Sequence, residues 1–173
     1  MLKPHNLSNV AAVSAVTAAG IASTVIDLHT RRIPNRLTLG IAVAGLTMAV
    51  TGIGLTDPKR AVAGLVLGLV LMLPGHLIGA TGAGDVKLFA AIGTLLGPAG
   101  IGLAFVFTAV AGGVLAVVVA WQRRVLGETI LNTATFVRTG GANVGEIERV
   151  ASRNRFAYAP AIAIGAFLAA LAL

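Results

Sequence analysis

Five intervals of membrane length run through this chain without one Asp, Glu, Lys or Arg: Leu7 to Ile26, Leu37 to Thr56, Ala61 to Gly84, Leu88 to Gln122 and Phe156 to Leu173. A bilayer core of about 30 Å takes roughly 20 apolar residues as a helix, so each interval is long enough or nearly so. The fourth, at 35 residues, is too long for one crossing. Near its middle stands Gly97-Pro98-Ala99-Gly100, where proline withholds a donor and glycine favours a turn, and the interval divides there into two helices. The expectation is an all-α polytopic membrane protein, a bundle of six transmembrane helices. With 57% hydrophobic and 11% charged residues, the composition excludes an ordinary soluble globule.

The first interval also has a signal-peptide reading, because Lys3 precedes an apolar run rich in small residues. It lacks the leucine-rich centre of such a peptide and continues into an acidic and basic turn, so it reads as a permanent helix. Of the 13 Lys and Arg residues, a six-helix order with the N-terminus outside puts ten on the inner side and three outside. The ten are Arg31, Arg32, Arg36, Lys87, Arg123, Arg124, Arg138, Arg149, Arg153 and Arg155; the three are Lys3, Lys59 and Arg60. Basic loops stay cytoplasmic, so both termini are expected outside.

Only six carboxylates occur in the 173 residues, and two of them adjoin apolar intervals. Asp27 closes the first helix. Asp85 lies in Thr81-Gly82-Ala83-Gly84-Asp85-Val86-Lys87, at the start of the fourth. Acids at such positions are costly and usually functional. They are 58 residues apart in sequence, yet the charge count puts both at cytoplasmic helix ends, where they can act jointly. Only about ten residues separate Lys87 from the Gly97-Pro98 turn, about half a crossing, which draws Asp85 toward membrane depth. Gly82 and Gly84 permit close backbone approaches that side chains would forbid. Each acid also has a plainer reading: Asp27 as a helix cap or a partner of Arg31 or Arg32, Asp85 as a partner of Lys87.

Three strings together are specific. Asp27-Leu28-His29-Thr30-Arg31-Arg32-Ile33-Pro34-Asn35-Arg36 follows helix one, Gly82-Ala83-Gly84-Asp85-Val86-Lys87 opens helix four, and Tyr158-Ala159-Pro160-Ala161-Ile162-Ala163 starts helix six. On them the chain resembles, over nearly its whole length, the prepilin peptidases, the type IV leader peptidase family of intramembrane aspartyl proteases. That resemblance implies Asp27 and Asp85 as the catalytic pair, Gly82 and Gly84 as the active-site loop, and Lys87 at a recurrent position of that loop. It also implies the substrate: pilin precursors with a short basic leader, cut at the cytoplasmic face of the inner membrane just before a hydrophobic helix. Longer members carry a methyltransferase domain, often with paired Cys-x-x-Cys. This chain has no cysteine. It leaves no room for that domain between helices one and two, so residues 1–173 read as a single peptidase domain of the Flp or tight-adherence type.

The chemistry expected of such a pair is water activation by one carboxylate while the other hydrogen-bonds the scissile carbonyl. No cofactor, metal or nucleic acid is expected, since the three histidines are scattered and form no ligand set. Membrane lipid is an expected partner, and a homo-oligomer stays open. His76, after Pro74-Gly75, reads as a satisfied buried histidine at a kink, and Asp57 in Asp57-Pro58 as a turn residue. Gly64 and Gly68, Gly75 and Gly79, and Gly93 and Gly97 have the small-x-x-x-small spacing of close helix contact. Within the polar stretch 121–155, Leu126, Ile130, Ala134 and Val137 outline the face of an interfacial helix. The rival readings are a small transporter binding a cation or proton between helices and a non-catalytic assembly subunit. The first lacks a convincing internal repeat and leaves the Ile-Pro-Asn turn unexplained.

Overall fold

The computed structural model describes residues 4–79, 81–122 and 158–173, and these are helical with short connections. The helices are α1 (Pro4–Thr30), α2 (Asn35–Thr51), α3 (Pro58–Leu77), α4 (Ala83–Gln122) and α5 (Ala159–Ala172). Three stretches, Asn9–Thr30, Pro58–Leu77 and Ala83–Val119, are long and apolar enough to cross a membrane, while Asn35–Thr51 and Ala159–Ala172 are shorter apolar helices. Polar side chains inside the apolar helices turn back on their own backbone: Thr17, Ser23 and Thr47 donate to Val13, Ala19 and Val43 carbonyls. That satisfies the hydroxyls where lipid cannot.

α4 is two helical limbs joined at a break. Gly97 adopts φ 68° and ψ −176°, angles that a side chain would forbid. Pro98 has no N–H to offer the Thr94 carbonyl four residues back. Thr56 supplies the missing donor, its hydroxyl lying 3.4 Å from that carbonyl. The consequence is visible eight residues either side of the break. Phe89 and Phe105 would be about 24 Å apart along a straight helix. Their rings instead meet edge to face at 6.2 Å. The limbs 83–96 and 98–122 therefore fold back on each other, as the Gly97-Pro98 signal led us to expect.

Glycine contacts fix the remaining directions. Gly64 of α3 abuts the backbone of Gly93 and Gly97, and Gly68 that of Phe89 and Ala90, so α3 is antiparallel to the first limb. Gly45 of α2 meets Thr94, while Asn35 meets Lys87, so α2 is parallel to it. On α5, Tyr158 lies at Gly112, Gly165 at Thr108 and Leu173 at Gly100, antiparallel to the second limb. α1 opposes α5, with Gly20 at Ala163 and Asp27 at Ala159. Segments consecutive along the chain thus alternate in direction, and the first limb of α4 is the core: Leu88, Phe89 and Ile92 are fully buried. The outer faces keep Ile21, Leu39, Val66 and Val110 exposed, an apolar exterior of the kind lipid covers.

Several expectations change in detail. α1 runs past Asp27 to Thr30, and α3 stops at Leu77, well short of Gly84. Gly79, at φ 75°, is a turn residue rather than a packing glycine, and Gly97 serves the break. Trp121 and Gln122 still belong to α4. The rest of the polar stretch to Arg155, with the interfacial helix expected at Leu126, Ile130, Ala134 and Val137, lies outside the described residues.

Candidate active site

Asp27 is one turn from the end of α1 and only 6% exposed. A carboxylate there needs a hydrogen-bond partner, because burial strips its water. Its Oδ2 accepts from the Ala159 backbone N–H at 3.2 Å. Ala159 is the first residue of α5, where amides have no partner within their own helix and the dipole is positive. Asp27 therefore tops a neighbouring helix. Immediately beyond it the chain turns: the Arg31 N–H donates to the Asp27 carbonyl at 2.8 Å, and Arg31 takes a left-handed φ of 50°.

Asp85 is the third residue of α4 and is half-buried. The Gly82 carbonyl accepts from the Asp85 and Val86 amides at 3.0 and 3.2 Å, and the Gly82 N–H donates back to Asp85 Oδ2 at 3.0 Å. This is the return half of a capping box, and it holds the carboxylate against the helix start. Gly84 is needed for a close approach. A Cβ there would sit 3.1 Å from the Cβ of Ile33, so the turn after α1 rests on the first turn of α4.

The start of α5 meets one of the two acids directly, through the Ala159 amide on Asp27. The Tyr158 ring packs where Gly112 leaves space, since a Cβ at that glycine would lie 2.8 Å from the ring. Sequence reading marked the Tyr158 string as the start of a helix and as one of three strings that carry the family resemblance. Nothing in its composition signals that a backbone amide there meets an acid 132 residues earlier.

The remaining residues sort by which end of the bundle they occupy. Lys87 Nζ donates to Asn35 Oδ1 at 3.0 Å, across 52 residues. His76 lies at the same end, its Nδ1 3.0 Å from the Thr81 carbonyl just before Gly82. It is exposed, not buried as expected, because α3 ends one residue later and the side chain reaches out to the following turn. Asp57 is at the other end, next to the Gly97 break. It caps α3 by accepting from the Arg60 N–H at 2.8 Å and faces the Arg60 guanidinium at 3.7 Å, a structural acid as its Asp-Pro step implied. Among the described residues, no three of His, Asp and Glu gather in a way that would hold a metal.

The arrangement brings Asp27, Asp85, Gly82, Gly84 and Lys87 to one end of the bundle. Two carboxylates at one end, beside glycine-rich backbone, are suited to activating water and gripping an extended peptide. Comparisons with known proteins point the same way. Residues 14–117 match the family model of the type IV leader peptidase family. Two curated relatives, each a prepilin leader peptidase/N-methyltransferase, come from Burkholderia pseudomallei strains 1026b and K96243. Each is 33% identical over 140 residues, covering 76% of this chain and 44% of the relative. This chain thus spans less than half the length of the curated relatives it matches. No solved structure gives a significant match. With the family model covering more than half of its residues, the chain belongs to the type IV leader peptidase family.

Proposed function

We propose that this chain is a prepilin peptidase, an aspartic endopeptidase that removes the short basic leader of pilin precursors, with Asp27 and Asp85 as its working pair. What supports the reading is that both acids stand at one end of the bundle, Asp27 on the Ala159 amide and Asp85 at the start of α4, where Gly84 rests on Ile33 of the turn that follows α1. One carboxylate takes a proton from water, and the resulting hydroxide adds to the scissile carbonyl carbon. The other, protonated, donates a hydrogen bond to the carbonyl oxygen. Collapse of the tetrahedral diol breaks the C–N bond, and the departing amine takes up a proton from the pair. Gly82 and Gly84 keep the loop free of side chains where the substrate backbone lies extended.

The six alternating helical segments are read as six membrane crossings with both termini outside. Arg31, Arg32, Arg36 and Lys87 then lie on the cytoplasmic side with the two acids, and Lys59 and Arg60 lie outside. In that orientation a leader kept in the cytoplasm by its positive charges presents its cut site at the level of Asp27 and Asp85. The four-residue link 31–34 between α1 and α2 leaves no room there for an inserted methyltransferase domain, and residues 1–173 contain no cysteine. That organisation is the basis for assigning the enzyme to Flp or tight-adherence pili.

Purified protein with a pilin precursor tests the reading. Asp27→Asn and Asp85→Asn should each cut the cleavage rate at least ~10³-fold, the scale at which members of a catalytic unit fail singly. Full activity in either variant would overturn the aspartyl mechanism. Asparagine suits position 27 because its carbonyl oxygen can still accept from the Ala159 amide, so the charge is lost and the geometry kept.

A further inference from the structure

We infer that Lys87 acts on the candidate site through Asn35, as a positioning residue that sets where Asp27 stands relative to Asp85. The inference rests on the reading of these two acids as the catalytic pair. α1 makes its main helix contact with α5 and only a small one with α4, so side-by-side packing of α1 on α4 does little to register one acid against the other. A route between them runs through the turn 31–34. On one side, Asp27 is tied by its carbonyl to the left-handed Arg31, and Pro34 follows at φ −69° and ψ 141°. On the other, Asp85 and Lys87 share the first turns of α4.

Among the contacts that close this route are Gly84 against Ile33, and Lys87 Nζ on Asn35 Oδ1 at 3.0 Å. The first is a non-directional contact. The second is a charge-assisted hydrogen bond between side chains, which specifies direction as well as distance. Asn35 is free for it because it does not cap its own helix: Pro34 occupies the cap position of α2, and no side-chain cap bond is made there. An asparagine beside a helix start usually serves the local backbone. Here its side chain serves a residue 52 positions away. Both partners are exposed, so the bond competes with water and adds little to global stability. Its effect falls on geometry, where a misplacement of about 1 Å costs up to about a hundredfold in rate.

The test is a double-mutant cycle on the full-length protein in lipid nanodiscs, cleaving a pilin precursor, with Lys87→Met, Asn35→Leu and the double variant. Each single variant should lower kcat about tenfold to a hundredfold, with KM and melting temperature close to those of the unaltered protein. The double variant should be no slower than the slower single one, to within about twofold, as expected of one shared interaction. Lys87→Arg and Asn35→Asp, which keep a donor and an acceptor, should recover most of the rate, and the pH profile of Lys87→Met should keep its position. If the single variants melt early, the conservative pair decides: loss of rate in both at unchanged melting temperature would count against the clamp. Multiplying losses in the double variant, or a displaced pH profile in Lys87→Met with Asn35→Leu fully active, would assign Lys87 to the charge of Asp85 and overturn the proposal. Asp27→Asn separates the two levels. If it is inactive while Lys87→Met and Asn35→Leu are fully active, only the clamp falls; if it too is fully active, the catalytic reading falls with it.

Discussion

Asp27 and Asp85 each do structural work that their proposed chemistry does not require, and that work limits how substitutions there are read. Asp27 completes the start of α5, and Asp85 completes the start of α4. Asp27→Ala removes both charge and cap, so it should be less stable than Asp27→Asn by about 1 kcal/mol, the ordinary worth of a helix cap. Thermal unfolding in detergent checks this, and equal stability would show that the Ala159 contact carries nothing. A second prediction uses neighbouring glycines. A methyl at Gly112 would meet the Tyr158 ring, whereas a methyl at Gly113 meets nothing within 4 Å. Gly112→Ala should therefore displace Tyr158 and slow cleavage severalfold or more, while Gly113→Ala keeps the normal rate; equal rates would show that Tyr158 can move without consequence. Position 27 and position 85 were legible as costly acids in an apolar chain. Their long-range surroundings were not, because the amide at residue 159 that meets Asp27 and the turn at residue 33 that meets Gly84 carry no mark in the sequence of what they will touch.

Among elements, the break in α4 decides the most. Gly97-Pro98 was readable as a division, since glycine and proline act on the local backbone whatever surrounds them. Its angle was not readable, because Thr56 and the α2–α3 connection hold it from outside, through the Thr94 carbonyl and the space beside Gly97. Gly97→Ala combines a backbone cost of about 1–3 kcal/mol with overlap between the new methyl and Thr56. It should lower the melting temperature markedly and reduce the folded yield. Near-normal yield and melting would mean that the two limbs hold their fold-back without this residue. The same contrast explains the glycine pairs. Spacing alone marked Gly64, Gly68, Gly75, Gly79, Gly93 and Gly97 as equals, but α3 ends at Leu77, which leaves Gly79 to the turn.

Across the whole molecule, charge is divided between the ends. His29, Arg31, Arg32, Arg36 and Lys87 share the end that holds both acids, while Asp57, Lys59 and Arg60 lie at the end with the Gly97 break. An alternating bundle makes that division from a linear sequence, and the positive-inside rule converts it into an orientation. Single cysteines at Arg32 and Lys59 in this cysteine-free chain test it with a membrane-impermeant thiol reagent. Lys59→Cys should label in intact cells, and Arg32→Cys only after the membrane is opened. Labelling of Arg32→Cys from outside would invert the topology.

The sequence by itself determined that this chain is helical and apolar, where its helices turn, and which two acids lie beside them. Those properties follow from the length of uncharged runs, from the backbone chemistry of glycine and proline, and from the cost of charge near lipid, all of which act locally. The tertiary structure alone decided that Phe89 meets Phe105 across the break in α4, that α5 brings its first amide to Asp27, and that Lys87 reaches Asn35. Each of these is a contact between distant segments. Such contacts arise from how glycine-lined helix faces pack and from which buried polar groups remain to be satisfied, and no local pattern encodes them.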